Sequence, residues 1–463
     1  MMREERSNKF ITFGCRLNSY ESEVIKRAVN DSGQENLIVF NSCAVTSQAE
    51  KQLRQSIRKE RKLNPNARIV VTGCAAQIDP SKYAKMNEVD LVLGNIEKSK
   101  SESYVIKQGI DVKNLEFDIK NSKNYQDFKH ADKLFFSSKN PKEFLAIENA
   151  AKIKVNDIMS VKETAPQLVS YFENKTRAFL EIQNGCNHRC TFCIIPFGRG
   201  NSRSVLFGDI VSQTKKMIAS GHKEIVLTGV DISDYGKDLE LKITLAQMIR
   251  RLLDLVPDLT RLRLSSIDVA EIDEDLFKLI ISEPRIMPYL HLSIQSGDDM
   301  ILKRMKRRHN RSQVIEFCNR VKSLRPEVLF GADIIAGFPT ENEEMFANSL
   351  AIVDEANIVF GHIFPYSKRD GTPASKMPQV RGDVIKKRAR ILREKVAIQL
   401  QKLLINQVGK NMKAIVENSG FAKSENFLDI KIPNLDHQHI GKIIDVVIVG
   451  VDGDYLLGEI IKY

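Results

Sequence analysis

Three cysteines within eight residues form the densest group of metal-binding side chains in the sequence. Cys186, Cys190 and Cys193 are spaced C-x3-C-x2-C in the segment "NGCNHRCTFC". Thiolates are soft ligands that suit zinc and iron–sulfur clusters. A structural zinc site closes with four ligands, and His188 is a candidate fourth ligand, although its place between the first two cysteines would strain a tetrahedral chelate. A [4Fe–4S] cluster held by three cysteines would instead leave one iron open to bind and activate a small molecule.

Three further cysteines each follow a segment with strand character. Cys15 follows "KFITFG", Cys43 follows "LIVFNS" and Cys74 follows "ARIVVTG". Helical segments alternate with these strands, which predicts a parallel, doubly wound sheet with right-handed crossovers. Because the carboxyl ends of parallel strands share one edge, we expect the three cysteines to converge on a common site. The alternative is three unrelated buried cysteines.

A second alternating series begins near residue 176 and contains six strand-like segments. They are "AFLEIQNG", "EIVLTGVD", "RLRLSSID", "YLHLSIQSG", "VLFGADIIAGF" and "IVFGHIFPY". Six β/α units predict a partial (β/α)6 barrel, with its active site at the carboxyl ends of the strands. The segment with the three closely spaced cysteines directly follows the first of these strands.

The remaining segments complete an α/β protein of several domains. A long amphipathic helix follows the six units, and the short strands after Gly409 predict a small C-terminal β-barrel. The stretch from about 110 to 150 is rich in Lys, Asn and Ser without a steady period, which is typical of an insertion or linker. The predicted domains are therefore 7–109, an insertion or linker at 110–170, 171–403 and 404–463.

Composition limits the classes of protein that the chain could form. The 463 residues carry a formal net charge of +11, which favours an anionic partner, nucleic acid first, or else reflects a generally basic composition. The odd number of cysteines, seven, argues against a disulfide framework. We find no signal peptide, and the apolar runs are too short to span a bilayer. The sequence predicts a soluble cytoplasmic protein with no membrane partner.

The positive charge is concentrated in a basic run at 303–311, where six of nine residues are Lys or Arg. The six residues are Lys303, Arg304, Lys306, Arg307, Arg308 and Arg311. Such a run could neutralise phosphates, or it could simply be a solvated helix surface. From Ile405 onward the chain has six Lys or Arg against eight Asp or Glu. We therefore expect the basic run to contribute more to nucleic-acid binding than the C-terminal barrel.

The motifs resemble those of a known enzyme family. The C-x3-C-x2-C spacing, with Phe192 just before the last cysteine, is similar to the signature of the radical S-adenosylmethionine (SAM) enzymes. The segments around Cys15, Cys43 and Cys74 resemble the N-terminal domain of the methylthiotransferases within that superfamily, and the terminal barrel resembles a TRAM domain, an RNA-binding module. The resemblance implies two [4Fe–4S] clusters, one on each cysteine trio. It also implies SAM as the source of a 5′-deoxyadenosyl radical.

The resemblance also suggests residues that contact SAM. It places Phe192 near the adenine, although ordinary loop packing would explain an aromatic there. Thr228 and Gly229 end the second barrel strand, where the superfamily contacts the methionine amino group, and a glycine also suits any tight β-to-α turn. Ile335 and Gly337 lie in "IIAGFP", the position of an adenine-binding strand. A buried strand would account equally well for Ile335.

Three branches of the family act on different substrates. "GCRLN-x-YESE" is similar to the branch that modifies N6-threonylcarbamoyladenosine at position 37 of tRNA, next to the anticodon. "GCNHRCTFCIIP" resembles the branch that modifies a ribosomal-protein aspartate, and a third branch modifies isopentenyladenosine in tRNA. The resemblance favours a threonylcarbamoyladenosine tRNA methylthiotransferase with two clusters. Such chemistry also requires an electron donor, such as a flavodoxin or ferredoxin, which the sequence does not identify.

Overall fold

The computed structural model describes residues 7–105, 152–161 and 176–462. The chain divides at Ile158 into two compact units, Met1–Ile158 and Met159–Tyr463. The predicted insertion at about 110–150 lies outside the described residues. So do the predicted domain boundaries at 109/110 and 170/171. Among the described helices, none is long and apolar enough to cross a membrane.

Within its described residues, the first unit forms a five-stranded parallel sheet whose strands pair in sequence order. The strands are β1 (Lys9–Thr12), β2 (Leu37–Ser42), β3 (Arg68–Gly73), β4 (Leu91–Leu93) and β5 (Ile153–Lys154). The helices are α1 (Arg16–Asp31), α2 (Ser47–Leu63), α3 (Cys74–Ile78) and α4 (Pro80–Ala84). The predicted parallel sheet is confirmed. Because neighbours in sequence are also neighbours in the sheet, the carboxyl ends of β1, β2 and β3 lie side by side.

Apolar side chains hold this sheet together. All six residues of β2 are buried, as expected for a parallel strand covered on both faces. Ile25 and Val29 of α1 pack in one apolar cluster with Val39 of β2 and Val70 of β3. Burial of a Val or Ile side chain contributes about 1.5–3 kcal/mol, so such a cluster fixes the helix against the sheet.

In the part of the second unit that the structure describes, six parallel strands form a curved layer. They are β6 (Arg177–Glu181), β9 (Glu224–Thr228), β10 (Arg261–Leu264), β11 (Tyr289–Gln295), β12 (Leu329–Ala336) and β13 (Ile358–Pro365). The first three and the last three each form a sheet. Backbone bonds of Ile267 join the two sheets, because its N–H donates to His291 O at 2.9 Å and its carbonyl accepts from Ser293 N at 3.0 Å. The predicted partial (β/α)6 barrel is confirmed.

Helices flank these strands. They are α5 (Ile195–Arg199), α6 (Phe207–Ala219), α7 (Leu245–Leu255), α8 (Glu274–Ser282), α9 (Asp299–Met305), α10 (Arg311–Leu324), α11 (Glu343–Glu355) and α12 (Gly382–Ile405). Capping boxes begin two of them, at Thr244 and Gln247 for α7 and at Asn310 and Gln313 for α10. Each box satisfies backbone N–H groups that the first helical turn leaves unpaired. A short antiparallel pair, β7 (Gln183–Asn184) and β8 (Arg203–Ser204), brackets the closely spaced cysteines.

The described C-terminal residues close into a small five-stranded barrel, as predicted. Its strands are β14 (Asn411–Asn418), β15 (Phe421–Ser424), β16 (Asp429–Lys431), β17 (Ile443–Asp452) and β18 (Tyr455–Lys462). This barrel packs against the amino ends of the strands of the partial barrel. Phe427 stacks on Tyr289 with a centroid distance of 4.4 Å, and Thr176 Oγ1 donates to Val416 O at 3.0 Å.

A buried ionic cluster lies at this junction. Both carboxylate oxygens of Glu224 accept hydrogen bonds, from Arg263 Nε at 2.7 Å and from Arg261 Nε at 3.0 Å. Arg263 Nη1 also donates to the backbone oxygen of Glu425 in the C-terminal barrel at 3.1 Å. Burial alone would raise the pKa of Glu224, but the surrounding arginines lower it to about 2. The carboxylate therefore stays ionised and links the two barrels.

Candidate active site

The loop that carries Cys186, Cys190 and Cys193 lies at the carboxyl end of the first barrel strand. Its start is fixed by Gly185, which has a φ of +72° and where a Cβ would lie 1.9 Å from Asn201 O. Cys186 N–H donates to Gly200 O at 3.1 Å. A side chain other than hydrogen would therefore displace the backbone at Gly200 and Asn201.

Thr191 fastens the middle of this loop to distant parts of the barrel. Its hydroxyl donates to Arg304 O at 2.8 Å, and its N–H donates to Met305 O at 3.1 Å. Its carbonyl accepts from Ala374 N at 2.9 Å. These bonds hold the cysteines against α9 and against the segment after β13. No local sequence pattern indicates this role, because all three partners lie more than a hundred residues away.

Hydrogen-bond donors lie near two of the three sulfur atoms. The N–H of His188 donates to Cys186 Sγ at 3.3 Å, and Arg307 Nη1 lies 3.6 Å from Cys190 Sγ. Burial raises the pKa of the Cys186 and Cys193 thiols to about 12. Since metal ligation requires thiolates, a cation must displace these protons. Three half-buried thiol ligands, two of them facing N–H donors, fit a [4Fe–4S] cluster with one open iron.

A mixed zinc site is the competing use of this loop. Ligand atoms of Cys186, His188 and Asp231 lie within 4.8 Å of one another, and His188 Nε2 is 2.8 Å from Asp231 Oδ2. Such a site would leave Cys190 and Cys193 without a role. Because the Asp231 carboxylate already engages His188 Nε2, the arrangement favours the three-cysteine cluster.

Gln183 joins the cysteine loop to the turn after the second barrel strand. Its Nε2 donates to Gly185 O at 2.7 Å, while its Oε1 accepts from Val230 N at 3.0 Å and Asp231 N at 2.9 Å. A Cβ on Gly229 would lie 2.7 Å from Gln183 O, so the turn needs glycine there. Thr228 is buried as the last residue of β9. The structure thus brings the predicted Thr228 and Gly229 beside the cysteine loop.

The other residues predicted to contact SAM lie in one apolar cluster or at its border. Phe192 meets Phe338 edge to face with a centroid distance of 6.3 Å, and both belong to the cluster that contains Ile335. Gly337 follows β12 with a φ of +73°, and a Cβ there would lie 2.6 Å from Ile385 Cγ1. The cluster offers an apolar wall next to the cysteine loop, which suits a flat aromatic ring such as adenine.

The four arginines of the basic run at 303–311 are bonded to other groups of the same barrel, which the sequence does not predict. Arg307 Nη2 donates to Asp268 at 2.9 Å and Arg308 pairs with Asp268 and Glu271. Arg304 Nη1 donates to Thr340 Oγ1 at 2.7 Å. Arg311 pairs with Glu355 at 2.6 Å. Lys303 and Lys306 are exposed.

Asp268 anchors the two arginines beside the cysteines. Burial raises the pKa of its carboxyl, but a hydrogen bond from His309 and the charge of Arg307 hold that pKa well below its usual range. Arg307 therefore faces an ionised carboxylate on one side and Cys190 Sγ on the other. These contacts support the cysteine loop, while the role of Arg307 in binding RNA stays a prediction.

In the first unit, the three strand-end cysteines lie at one sheet edge. Cys43 directly follows β2, and Cys74 directly follows β3. Gly14, with a φ of +108°, approaches so closely that a Cβ there would lie 2.8 Å from Cys43 Cβ. Cys15 comes next in the chain and is exposed, whereas Cys43 and Cys74 are buried.

Asn18 ties these strand ends together. Its Nδ2 donates to Phe13 O at 2.8 Å and to Ser42 O at 3.0 Å, and its Oδ1 lies 3.6 Å from Cys15 Sγ. Three sulfur donors at one edge, with backbone fixed around them, fit a second three-cysteine cluster.

Two family models match the chain, one in each unit. Residues 180–353 match the model described as "Radical SAM superfamily". Residues 8–94 match the model described as "Uncharacterized protein family UPF0004". The first match covers most of the partial barrel, and the second covers the sheet that carries Cys15, Cys43 and Cys74.

Curated relatives align over almost the whole chain. The protein named "Threonylcarbamoyladenosine tRNA methylthiotransferase MtaB" of Rickettsia prowazekii (strain Madrid E) is 49% identical, over 98% of this chain and 98% of its own length. The protein of the same name from Aquifex aeolicus (strain VF5) is 36% identical, over 95% and 99%. Among solved structures, the radical S-adenosylmethionine methyltransferase TsrM of Kitasatospora setae has a TM-score of 0.51 and 13% identity, and it covers 80% of this chain and 75% of that chain. At that identity the likeness concerns the fold.

Proposed function

Because this chain belongs to the radical SAM methylthiotransferase family, we propose that it converts N6-threonylcarbamoyladenosine at position 37 of tRNA to its 2-methylthio derivative. The observation that carries the proposal is the 49% identity, across 98% of both chains, to a relative named for that activity. SAM and an iron–sulfur cluster are the cofactors of this family. The "GCRLN-x-YESE" segment at Cys15 supports the same branch.

We assign the two cysteine trios to different tasks. Cys186, Cys190 and Cys193 would hold a [4Fe–4S] cluster that, with SAM bound, supplies a carbon-centred radical. Cys15, Cys43 and Cys74 would hold a second [4Fe–4S] cluster, which supplies the sulfur of the methylthio group. A one-electron donor such as a flavodoxin or ferredoxin would complete the system.

The protein's own residues would position the cysteine loop, bind SAM and exclude water from the site. Thr191 keeps the cysteine loop against α9, and Gln183 keeps the turn at Gly229 beside that loop. Phe192 and Ile335 would form the apolar side of the SAM site, which removes water from the place where a radical must survive. Arg307 donates toward Cys190 Sγ and would favour the ligated thiolate there.

Binding of the tRNA backbone would involve the basic run at 303–311. The arginines of that run are held by groups of the same barrel, so we propose that Lys303 and Lys306 make the phosphate contacts. Exposed lysines can neutralise phosphates without first breaking an ion pair.

The proposal is tested by the tRNA of a strain that lacks the gene. Nucleosides from that strain, analysed by mass spectrometry, should contain N6-threonylcarbamoyladenosine in place of its 2-methylthio derivative. A plasmid copy of the chain should restore the derivative, whereas a copy with Cys186→Ala should not. Loss of the methylthio group from isopentenyladenosine instead, or from a ribosomal-protein aspartate, would contradict the substrate assignment.

A further inference from the structure

A chain of hydrogen bonds crosses three neighbouring strands of the partial barrel. Asp333 Oδ1 on β12 accepts from His291 Nε2 on β11 at 2.9 Å and from His362 Nδ1 on β13 at 3.2 Å. The other ring nitrogen of His291 bonds to Tyr289 Oη at 2.8 Å. None of these residues belongs to the site described above.

The side chains of this His–Asp–His chain point into the barrel. A Cβ on Gly361 would lie 2.9 Å from Val396 of α12, so position 361 faces the outer helix. Successive residues of a strand point to opposite faces, and His362 therefore faces inward. On the neighbouring strand, a Cβ on Gly331 would lie 2.2 Å from Tyr289 Oη. The glycine thus leaves the room in which Tyr289 meets His291.

These hydrogen-bonded side chains lie between the cysteine loop and the end of the partial barrel that the C-terminal barrel covers. At one end, Tyr289 stacks on Phe427 of the C-terminal barrel. At the other end, Phe364 follows His362 by two residues on the same strand face, and it packs in the cluster that contains Phe192. A ligand that reached inward from the SAM site would therefore meet His362 first.

Solvent exposure increases from His291 through Asp333 to His362. The side chain of His291 is 3% exposed, that of Asp333 is 20% exposed and that of His362 is 62% exposed. Among the described residues, none bonds to Nε2 of His362. The two histidines overcome the effect of burial and hold the pKa of Asp333 below its usual range, so the carboxylate is ionised. The Asp333 carboxylate accepts from Nδ1 of His362, which orients the ring and leaves Nε2 to face a ligand.

The geometry is that of a hydrogen-bond chain rather than a metal site. Although the ligand atoms of His291, Asp333 and His362 lie within 4.8 Å of one another, both imidazoles direct a nitrogen at the same carboxylate oxygen. A metal would need each nitrogen at about 2.0–2.1 Å from a shared centre, with its lone pair toward that centre. Nitrogens that donate to Asp333 present hydrogen atoms instead.

We propose that His362, oriented by Asp333, binds the carboxylate of the threonyl group on the substrate adenosine and so selects this substrate over an adenosine with an apolar N6 group. This inference rests on the proposed function. An imidazolium and a carboxylate form a charge-assisted hydrogen bond. An isopentenyl group would instead leave the polar groups of His362 and Asp333 unpaired, and sites built for a polar group reject analogues that lack it.

The test uses the full chain with its clusters reconstituted under anaerobic conditions. Two anticodon stem–loops serve as substrates: one carries N6-threonylcarbamoyladenosine, and the other carries the same group with its carboxylate converted to a primary amide. We expect the wild-type kcat/KM to favour the carboxylate by about 10- to 100-fold, mostly through KM, as for the loss of a charged hydrogen bond. Fluorescence anisotropy without reductant should show the same preference in Kd.

The variant His362→Leu should lose this preference. Its kcat/KM should fall for the carboxylate substrate and stay nearly constant for the amide, because the amide does not use the charge. His362→Gln keeps an N–H donor without the charge and should show an intermediate preference. The matched control is His437→Leu, which replaces an exposed histidine of the C-terminal barrel. It should change kcat/KM by the same factor for both substrates.

The outcomes separate the inference from the proposed function. Equal use of both stem–loops by the wild-type enzyme would overturn the inference without need of any variant, as would an equal loss on both substrates in a His362→Leu protein that retains its iron. If the wild-type enzyme modified neither stem–loop but modified one with isopentenyladenosine, the proposed function would fail as well. A preference that the wild-type enzyme shows, that His362→Leu loses and that His362→Gln keeps only in part supports the inference.

Discussion

At the scale of single residues, partners that are distant in the sequence decide which charges are free. Arg307 and Arg308 belong to the basic run at 303–311, yet carboxylates of the same barrel hold both of them. A phosphate would have to compete with those partners. Lys303 and Lys306 are exposed on the same run, and they can contact a phosphate without giving up a bond. The number of charges in a run therefore overstates its contribution to RNA binding.

The double variant Lys303→Gln, Lys306→Gln should weaken tRNA binding and make it less sensitive to salt. Loss of two phosphate contacts should reduce the slope of log K against log salt concentration by about 1.5–2. Titrations of the full chain with tRNA at several salt concentrations measure this slope. Lys215→Gln with Lys216→Gln, two exposed lysines of α6, is the matched control. An unchanged slope in the first double variant would show that the run does not touch the tRNA backbone.

The functional role of a residue could be predicted from the sequence where its motif is contained in a short segment. The spacing of Cys186, Cys190 and Cys193 is contained in eight residues, and their convergence needs no knowledge of the fold. Thr191 reaches an oxygen 113 residues away, and His291 reaches one 42 residues away. Such bonds depend on which strands and helices become neighbours, and a sequence pattern does not contain that information.

At the scale of elements, the junction between the partial barrel and the C-terminal barrel depends on one carboxylate. Glu224→Gln should lower the free energy of unfolding by about 3–5 kcal/mol, because Arg261 and Arg263 would be left buried without an anion. Urea unfolding of the full chain measures the change. Glu283→Gln, which removes a partly exposed pair with Arg285, should cost less than about 1 kcal/mol. Similar losses in the two variants would contradict a special role for Glu224.

The same carboxylate gives the junction a pH dependence. The pKa of Glu224 is about 2 in the folded chain against an ordinary value of 4.5. Its stabilising contribution is thus fully present above pH 4.5 and declines as the pH falls toward 2. At most about 3 kcal/mol is lost in this window. The difference in unfolding free energy between wild type and Glu224→Gln should therefore narrow from pH 5 to pH 3, and a constant difference would argue against the ionised cluster.

Whether an element could be predicted depended on its length and on its apolar pattern. All six barrel strands stand out as runs of apolar residues and appear where they were predicted. β15, Phe421–Ser424, was missed, because four residues with one lysine and one serine carry no clear period. It forms because β14 and β16 flank it and pair with its backbone.

At the scale of the whole molecule, each of the two compact units carries one trio of cysteines. Cys15, Cys43 and Cys74 belong to the first unit, and Cys186, Cys190 and Cys193 belong to the second. Each trio lies at the carboxyl ends of parallel strands, although one sheet is open and the other is curved into a partial barrel. Sequence alternation predicted both sheets. The assignment of two clusters therefore makes a prediction about the iron content of the intact chain.

The reconstituted full chain should hold about eight irons, and removal of either trio should leave about four. Replacement of Cys15, Cys43 and Cys74 by Ala should preserve the reductive cleavage of SAM but abolish the methylthio product, because only the sulfur source is lost. The same change at Cys186, Cys190 and Cys193 should abolish both reactions. Cys318→Ala, in the buried face of α10, is the control and should keep the full iron content. If the variant that lacks Cys15, Cys43 and Cys74 still held about eight irons, the second cluster would have to lie elsewhere. Zinc without iron in the wild-type protein would reject both clusters.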